Sequence, residues 1–275
     1  MIKKFFKKLN KVFVHFNIHK KIPRILLVTG TGRSGTTMLR KSLGQHNQIY
    51  YRGNENNIFL DIVSTFHKNC TMKSRKVAME LSQVQYDVEV KKIIFSILFP
   101  ALDKNRKYKY FLIASALDSK ILEYIKVLFP NIKILQIIRN GIEVVSSRMN
   151  YEGFKYDGFE NHIEVWNKDI EIGKHCKEIF GDNYKIVKQE CFLDSWALKK
   201  NLEEIFDWLE VKYDDNVYNS ISQTKFHPTV IKIEDAVNLK NRVDRWGMWS
   251  EEQKALFKDK ALTNMKALGY KIPDY

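Results

Sequence analysis

The chain has 275 residues, 44% of them hydrophobic, which is enough to bury the core of one large domain. No apolar run approaches the ~20 residues of a membrane-spanning helix, and the first residues lack the apolar core and cleavage site of a signal peptide, so we expect a cytoplasmic protein. The cysteines Cys70, Cys176 and Cys191 are scattered and lack zinc-ligand spacing, which predicts reduced structural thiols.

The first 23 residues read as a basic amphipathic segment ahead of a single domain that we predict over residues 24–275. The net charge is +14, and residues 1–24 contribute eight basic residues and no acidic one. The stretch MIKKFFKKLNKVFVHF places apolar residues on one helical face and lysines on the other. Through residues 1–22 such a helix can lie in an anionic membrane interface, or it can dock on its own domain; the sequence leaves both open.

The rest of the chain alternates between predicted strands and helices. Four segments read as buried strands: residues 25–29, 110–114, 132–138 and 184–189. Helices are predicted from Thr36, before Pro130, over residues 202–209, and from Ser250, where Gln253 completes a capping box. The alternation predicts an α/β fold with a parallel, P-loop-like sheet that is flanked by helices on both faces.

The turn after the first strand, GTGRSGTT from Gly30 to Thr37, has the G-x-x-x-x-G frame of a phosphate-binding P-loop. In such a turn, backbone N–H groups and the start of the following helix attract an anion. Thr36 stands where the motif requires lysine, and the strand over residues 132–138 ends in Arg139, not in an acid that holds Mg²⁺. These departures count against a degenerate P-loop kinase or NTPase and predict an anion site without a metal.

Arg139 is also the start of a second predicted anion site. The helix that follows it carries Ser146 and Ser147, so a guanidinium and a hydroxyl are available to share the oxygens of one anion. Two anion sites without a metal suit a nucleotide that has a phosphate at each end and carries a singly charged transferable group.

The motifs GTGRSGTT and LFPNIKILQIIRNGIEVVSSR together resemble the paired signatures of sulfotransferases that use 3′-phosphoadenosine 5′-phosphosulfate (PAPS). The segment NRVDRWGMWSEEQKALFKDKALTNMKALGY is similar to the closing R-W segment and helix of that family, so the resemblance covers residues 24–272. It implies that the first loop binds the 5′-phosphosulfate and that the second motif binds the 3′-phosphate. In this family, Arg242 and Arg245 would close over the nucleotide; surface positions are the alternative.

The resemblance assigns roles to individual residues. Arg33 takes the place of the basic residue that stabilises the bridging oxygen and the transferring sulfuryl group, while Arg139 and Ser147 take the 3′-phosphate. The other loop residues expected to contact the cofactor are Gly32, Ser34, Gly35, Thr36 and Thr37. Because a sulfuryl group carries less charge than a phosphoryl group, an arginine can suffice here without lysine and Mg²⁺.

The general base is expected after the first helix, where GQHNQIYYRGNENNIF resembles the glutamate-containing stretch of tyrosylprotein sulfotransferases and their bacterial relatives. The resemblance points to Glu55, although Asn47 replaces the usual proline, one residue is extra, and Asn54 replaces a first glutamate. His46 is the alternative base, as in the cytosolic small-molecule branch, but its place at the end of a helix favours a structural role.

One departure concerns the lysine that relatives often carry at the end of the second predicted strand. Ala114 and Ser115 stand there, and Lys120, on the following helix, is expected to be exposed to solvent. Ser115 could still bond an acceptor or a phosphosulfate oxygen.

The acceptor is expected to present a hydroxyl: on a glycan, glycolipid or lipid-linked sugar as the first choice, or on a tyrosyl peptide as the second. The basic N-terminus would suit an acceptor at the inner face of a membrane. A non-enzymatic protein that binds membranes or nucleic acid through charge is the alternative class, but it does not explain the two anion motifs. No RNA-binding aromatic signature is present, so we expect no nucleic-acid partner.

Overall fold

The computed structural model describes residues 23–53, 57–71, 81–98, 107–223 and 244–273. The predicted amphipathic helix of residues 1–22, the expected base Glu55 and Arg242 lie outside these ranges.

A five-stranded parallel sheet in the order β2-β3-β1-β4-β5 forms the centre of the fold. Its strands are β1 (Arg24–Thr29), β2 (Ile49–Tyr51), β3 (Tyr110–Ala114), β4 (Lys133–Ile138) and β5 (Tyr184–Lys188). The four predicted strands are confirmed to within one residue at each end. The three-residue β2 was not predicted.

Helices account for most of the remaining described chain. They are α1 (Thr36–Leu43), α2 (Ile58–Thr71), α3 (Gln83–Leu98), α4 (Leu122–Leu128), α5 (Gly141–Met149), α6 (Phe159–Phe180), α7 (Ser195–Leu209), α8 (Asp215–Ser222) and α9 (Glu251–Ala267). α7 begins seven residues before the predicted segment because Asp194 caps it, accepting a hydrogen bond from the backbone N–H of Ala197 at 2.8 Å. The predicted capping box of Ser250 and Gln253 is present at the start of α9.

The helices cover both faces of the sheet, as predicted. Successive residues of β1 show why: Ile25 and Leu27 pack into a core with α2, α3, α4 and part of α6, whereas Leu26 and Val28 pack into a core with α1, α7 and α8. Strands buried on both faces are hydrophobic throughout, which is why β1, β3 and β4 stand out in the sequence. A third core joins α5, α6 and α9 through residues such as Trp166 and Trp246.

All five strands are parallel, so their carboxyl ends meet at one edge of the sheet. Thr29 at the end of β1 lies beside Gln136 of β4, and Val28 lies beside Ala114, the last residue of β3. The glycine-rich loop, Ser115 and Arg139 therefore leave the sheet on the same side. None of the described helices is long and apolar enough to cross a membrane.

Candidate active site

The glycine-rich loop turns tightly against the neighbouring strand β4. Gly30 has φ of 149°, and a Cβ added to it would lie 2.3 Å from the carbonyl oxygen of Ile137, so a side chain cannot be accommodated there without a shift of the backbone. Gly35 has φ of 105° and forms the N-cap of α1. The turn is closed by the N–H of Ser34, which donates to the carbonyl of Thr31 at 2.9 Å. The N–H groups of the first turn of α1 thus face the carboxyl edge of the sheet, where they can bind an anion.

Asp169, on α6, holds the glycine-rich loop in place through its carboxylate. Asp169 Oδ2 accepts hydrogen bonds from both the backbone N–H and the hydroxyl of Thr31, each at 2.9 Å. Gln136 of β4 donates to the backbone carbonyl of Asp169 at 2.9 Å and accepts a hydrogen bond from the hydroxyl of Tyr184. Burial raises the pKa of Asp169, against hydrogen bonds from Gln136 and Thr31 that act in the opposite direction. The loop is therefore attached to two strands and a helix.

Arg33, the basic residue of the loop, has a left-handed backbone with φ of 83°, one of two such non-glycine residues in the described part of the chain. Its Nε donates to the hydroxyl of Ser147 on α5 at 3.1 Å. Its guanidinium carbon lies 4.4 Å from the centre of the Tyr151 ring. The side chain is thus directed toward the second predicted anion motif.

Arg139 connects the two motifs through the backbone of the loop. Its Nη1 donates to the carbonyl oxygen of Arg33 at 3.3 Å, and its Nη2 pairs with Glu143 Oε2 at 2.7 Å. Trp166 donates from its indole N–H to the backbone carbonyl of Arg139 at 3.1 Å, which fixes the end of β4. Arg33, Arg139 and Ser147, predicted from segments more than a hundred residues apart, therefore belong to one contiguous site.

Comparison with known proteins gives the family of this chain. The model of the family described as "Sulfotransferase family" matches residues 23–215, more than half of the chain. The chain belongs to the sulfotransferase family. A protein-tyrosine sulfotransferase of Drosophila melanogaster is 24% identical over 212 residues, which are 74% of this chain and 41% of that protein. This chain thus spans less than half of the length of that relative.

Solved sulfotransferase structures share the fold. A sulfotransferase domain from the curacin biosynthetic pathway has a TM-score of 0.55 at 15% identity, covering 92% of this chain and all of that one. A mouse sulfotransferase determined in complex with adenosine 3′,5′-bisphosphate (PAP) has a TM-score of 0.50 at 14% identity, covering 91% and 90% of the two chains. At these identities the likeness shows the fold, a parallel P-loop-like sheet, and the comparisons support the predicted resemblance.

The residues of the sulfotransferase site fit the donor PAPS, which is typical of the family. Ser34 in the loop is buried, and its hydroxyl has no hydrogen-bond partner in the described part of the chain. The hydroxyl of Ser146 on α5 is in the same situation. Buried polar groups normally have partners, and for the Ser34 hydroxyl, which lies inside the anion-binding loop, an oxygen-rich ligand would supply one. Thr37 is exposed beside them, and its hydroxyl accepts from Arg40 Nη2 at 3.4 Å.

Arg245, in the segment before α9, shares an ion-pair partner with Arg139. Its Nε lies 3.0 Å from Glu143 Oε2, the oxygen that also pairs with Arg139, and Arg245 is itself buried. The surface position that the sequence left open for Arg245 is therefore wrong. One carboxylate joins the end of β4 to the segment that leads into α9.

The proposed base Glu55 lies outside the described residues, but both sides of its segment are described. Gly53 precedes it, and Asn57 follows it with its side-chain oxygen 2.7 Å from the donor hydroxyl of Ser115, at the end of β3. Ser115 is further tied to β1, since its N–H donates to the carbonyl of Val28 at 3.2 Å. Asn57 is thus held at the end of β3 and, through Ser115, beside β1, the strand that precedes the glycine-rich loop.

His46 and Lys120 lie as the sequence predicts. The ring of His46 is buried; its Nε2 donates to the carbonyl of Lys212 at 2.9 Å and its Nδ1 accepts from the N–H of Gln48 at 3.0 Å. Both nitrogens are engaged, so His46 has a structural role. Lys120 is exposed. Among the described residues, no three His, Cys, Asp or Glu side chains form a group that could hold a metal ion.

Three residues of the site were missed by sequence reasoning: Asp169, Glu143 and Tyr151. Glu143 did carry a signal, because it lies four residues after Arg139 on a helix, at ion-pair spacing. Asp169 carried none, because it contacts Thr31 across 138 residues of sequence.

Proposed function

We propose that this protein transfers a sulfuryl group from PAPS to a hydroxyl of an acceptor. One observation carries the proposal: Arg33 of the glycine-rich loop contacts both Arg139 and Ser147 of the second motif, at the carboxyl edge of a parallel sheet. This arrangement provides adjoining sites for two anionic groups and matches the family to which the chain belongs.

Each part of the site has a role in this reaction. Gly32, Ser34, Gly35, Thr36 and Thr37 offer backbone N–H groups and hydroxyls to the 5′-phosphosulfate. Arg139 and Ser147 bind the 3′-phosphate, for which a guanidinium and a hydroxyl are suited.

Arg33 would stabilise charge on the bridging oxygen and the transferring group. When bound, PAPS supplies a sulfuryl group whose bond to the 5′-phosphate oxygen breaks as the acceptor oxygen attacks, so that PAP leaves. Preorganised donors at the places where charge develops commonly contribute the largest share of catalysis.

Glu55 is the proposed general base, which takes the proton of the acceptor hydroxyl. Its support is the resemblance of its segment to that of tyrosylprotein sulfotransferases and the anchoring of that segment through Asn57 and Ser115 at the end of β3.

Two acceptor classes follow from the sequence and the comparisons. A hydroxyl of a glycan, glycolipid or lipid-linked sugar is the first expectation from sequence. The curated relatives favour the second, a tyrosyl peptide, since they are protein-tyrosine sulfotransferases. A screen with PAPS and both classes of acceptor separates them, because sulfate is then recovered on sugar or on tyrosine.

The basic N-terminal segment supports a further proposal, that the protein is cytoplasmic and contacts the inner face of a membrane. Deleting residues 1–22 should weaken binding to vesicles that contain anionic lipid and leave PAP affinity intact. Unchanged vesicle binding would contradict the membrane contact.

Calorimetric titration with PAP, with 5′-AMP and with ATP–Mg²⁺ tests the donor site. We expect PAP to bind tightest and the Arg139→Ala variant to bind it about 100-fold more weakly, a loss of about 2.7 kcal/mol. Arg24→Ala, which changes an exposed arginine at the opposite end of β1, is the matched control and should bind PAP like the unmodified protein. Tighter binding of ATP–Mg²⁺ would favour a kinase or NTPase instead.

A further inference from the structure

Residues 150–158, between α5 and α6, lie against the glycine-rich loop. A Cβ added to Gly32 would come within 3.1 Å of the Phe154 ring, and the Tyr151 ring faces the guanidinium of Arg33. The Tyr151 and Phe154 rings are 5.4 Å apart, and the N–H of Phe154 donates to the carbonyl of Tyr151 at 2.8 Å. The two rings therefore form one unit that packs on the loop.

This 150–158 segment is fixed to α5 by Arg148. The Arg148 guanidinium lies 4.0 Å from the centre of the Phe154 ring, and its Nη2 pairs with Asp157 at 3.3 Å. Arg148 is itself buried, and its Nε donates to Nδ1 of His162 at 3.2 Å. The segment is thus held at its middle and near its end, and its start is held as well, because the N–H of Tyr151 donates to the carbonyl of Arg148 at 3.1 Å.

Arg33 is a side chain that needs contacts to stay in one place. Its backbone is in a strained left-handed conformation, and its long side chain loses rotamer entropy on being fixed. Three contacts together fix it: Arg139 on its carbonyl, Ser147 on its Nε, and Tyr151 on the face of its guanidinium.

Two of these contacts come from residues that the proposed function assigns to the 3′-phosphate. Arg139 and Ser147 would have to share their donors and acceptors with a bound nucleotide. The aromatic face of Tyr151 uses no N–H group of Arg33, so it can hold the guanidinium plane without taking a hydrogen-bond donor away from the ligand.

We propose that Tyr151 is a positioning residue for Arg33: its ring fixes the guanidinium plane of Arg33 beside Ser147, where the glycine-rich loop meets the second anion motif. This inference rests on the proposed function. It predicts that the ring face of Tyr151 matters and that its hydroxyl does not.

Tyr151→Leu and Tyr151→Phe test the proposal against Tyr156→Leu as a matched control. Tyr151 is 42% exposed, and Tyr156, in the same segment, is 85% exposed and stacks with Lys155 instead of Arg33. The three variants therefore separate removal of a ring from removal of the ring that faces Arg33.

The first measurement is NMR of arginine Nε–H groups, with the Arg33 signal assigned by its absence in Arg33→Lys. A guanidinium above an aromatic face is shifted upfield by the ring current. The shift should be present in the unmodified protein, Tyr151→Phe and Tyr156→Leu, and absent in Tyr151→Leu. An Arg33 signal that is the same in Tyr151→Leu as in the unmodified protein would overturn the proposal.

The second measurement separates positioning from folding. PAP affinity by calorimetry should stay within about twofold in Tyr151→Leu. The rate at which excess enzyme converts PAPS and water to PAP and sulfate should fall about tenfold in Tyr151→Leu and be retained in Tyr151→Phe. A parallel loss of PAP affinity would contradict the positioning role, whereas failure of the unmodified protein to bind PAP would contradict the proposed function itself.

Discussion

The carboxylate of Asp169 on α6 accepts two hydrogen bonds from Thr31, one from its backbone N–H and one from its hydroxyl, each at 2.9 Å. Thr31 is the second residue of the glycine-rich loop, two residues before Arg33. Asp169 thus helps to fix the place where the loop leaves the sheet. Gln136 donates to the backbone of Asp169, and Tyr184 donates to Gln136.

Asp169→Ala should therefore destabilise the protein and weaken PAP binding. Each donor left without a partner costs about 1–3 kcal/mol, so the free energy of unfolding in urea should fall by several kcal/mol if both are lost. Asp169→Asn keeps an oxygen that can accept both hydrogen bonds and should lose much less. Equal stability of the two variants would show that the acceptor oxygen is not what matters.

Glu143→Gln should destabilise the ligand-free protein and make it more responsive to anions. Glu143 is the shared partner of Arg139 and Arg245, and removing one partner of a buried ion pair costs about 3 kcal/mol. A bound 3′-phosphate would restore a counter-charge, so PAP should raise the melting temperature of Glu143→Gln by more than it raises that of the unmodified protein.

The matched control for this change is Glu251→Gln. Like Glu143, Glu251 pairs with a basic residue, here Lys254, but the side chain of Glu251 is 87% exposed. Such a pair contributes about 0–1 kcal/mol, so little stability should be lost. A melting temperature of Glu143→Gln that rises no further with PAP than that of the control would mean that Glu143 is not near the phosphate site.

Sequence predicted the parts of the fold that are continuous along the chain. β1 and β4 carry nearly continuous apolar runs, residues 25–28 and residues 134–138 with only Gln136 between, because they are buried on both faces, and this pattern is visible in the sequence. β2 was missed because three residues, Ile49–Tyr51, are too few to show a period.

The same distinction between local and long-range information applies to the residues of the site. Arg33, Arg139 and Ser147 were found because each lies in a compact local motif. Asp169 and Tyr151 were not, because what they do depends on contacts with the loop that form only when distant segments pack together. For Arg245 the sequence left two positions open, and its ion pair with Glu143 across the third core decided between them.

Glu55→Gln should abolish most sulfuryl transfer and leave PAP affinity nearly unchanged, because a general base acts on the acceptor hydroxyl and not on the nucleotide. Removing such a base typically lowers the rate by about 10²–10⁴-fold. Turnover with an identified acceptor and calorimetry with PAP measure the two effects. His46→Gln is the comparison, since His46 is the other base considered. Substantial transfer by Glu55→Gln would contradict the assignment.

Gly30→Ala should disrupt the loop more than an alanine at another left-handed glycine. A Cβ at Gly30 would lie 2.3 Å from the backbone oxygen of Ile137, which cannot move without distorting β4. Gly53 has φ of 92° but open space around it, so Gly53→Ala carries only the conformational penalty of about 1 kcal/mol. Urea unfolding and PAP titration of both variants measure the difference; equal losses would show that the contact with Ile137 relaxes freely.

His162 should make the protein less stable in mild acid. Burial lowers the pKa of His162 below its ordinary value of 6.5, and the adjacent Arg148 lowers it further, while Asp157 acts in the opposite direction. Below about pH 6.5 the unfolded chain then binds a proton that the folded protein does not. The free energy of unfolding therefore decreases as the pH is lowered, by at most ~1.4 kcal/mol per pH unit.

His162→Gln should flatten this fall, because it removes the titrating ring. His175, an exposed histidine on the same helix, provides the control, and His175→Gln should keep the slope of the unmodified protein. Urea unfolding at several values between pH 5 and 7.5 gives the three slopes. If protonation of His162 breaks the hydrogen bond from Arg148 Nε to His162 Nδ1, the 150–158 segment should loosen as well. The upfield shift of the Arg33 Nε–H signal should then decrease over the same pH range. A slope in His162→Gln as steep as in the unmodified protein would assign the acid sensitivity to other groups.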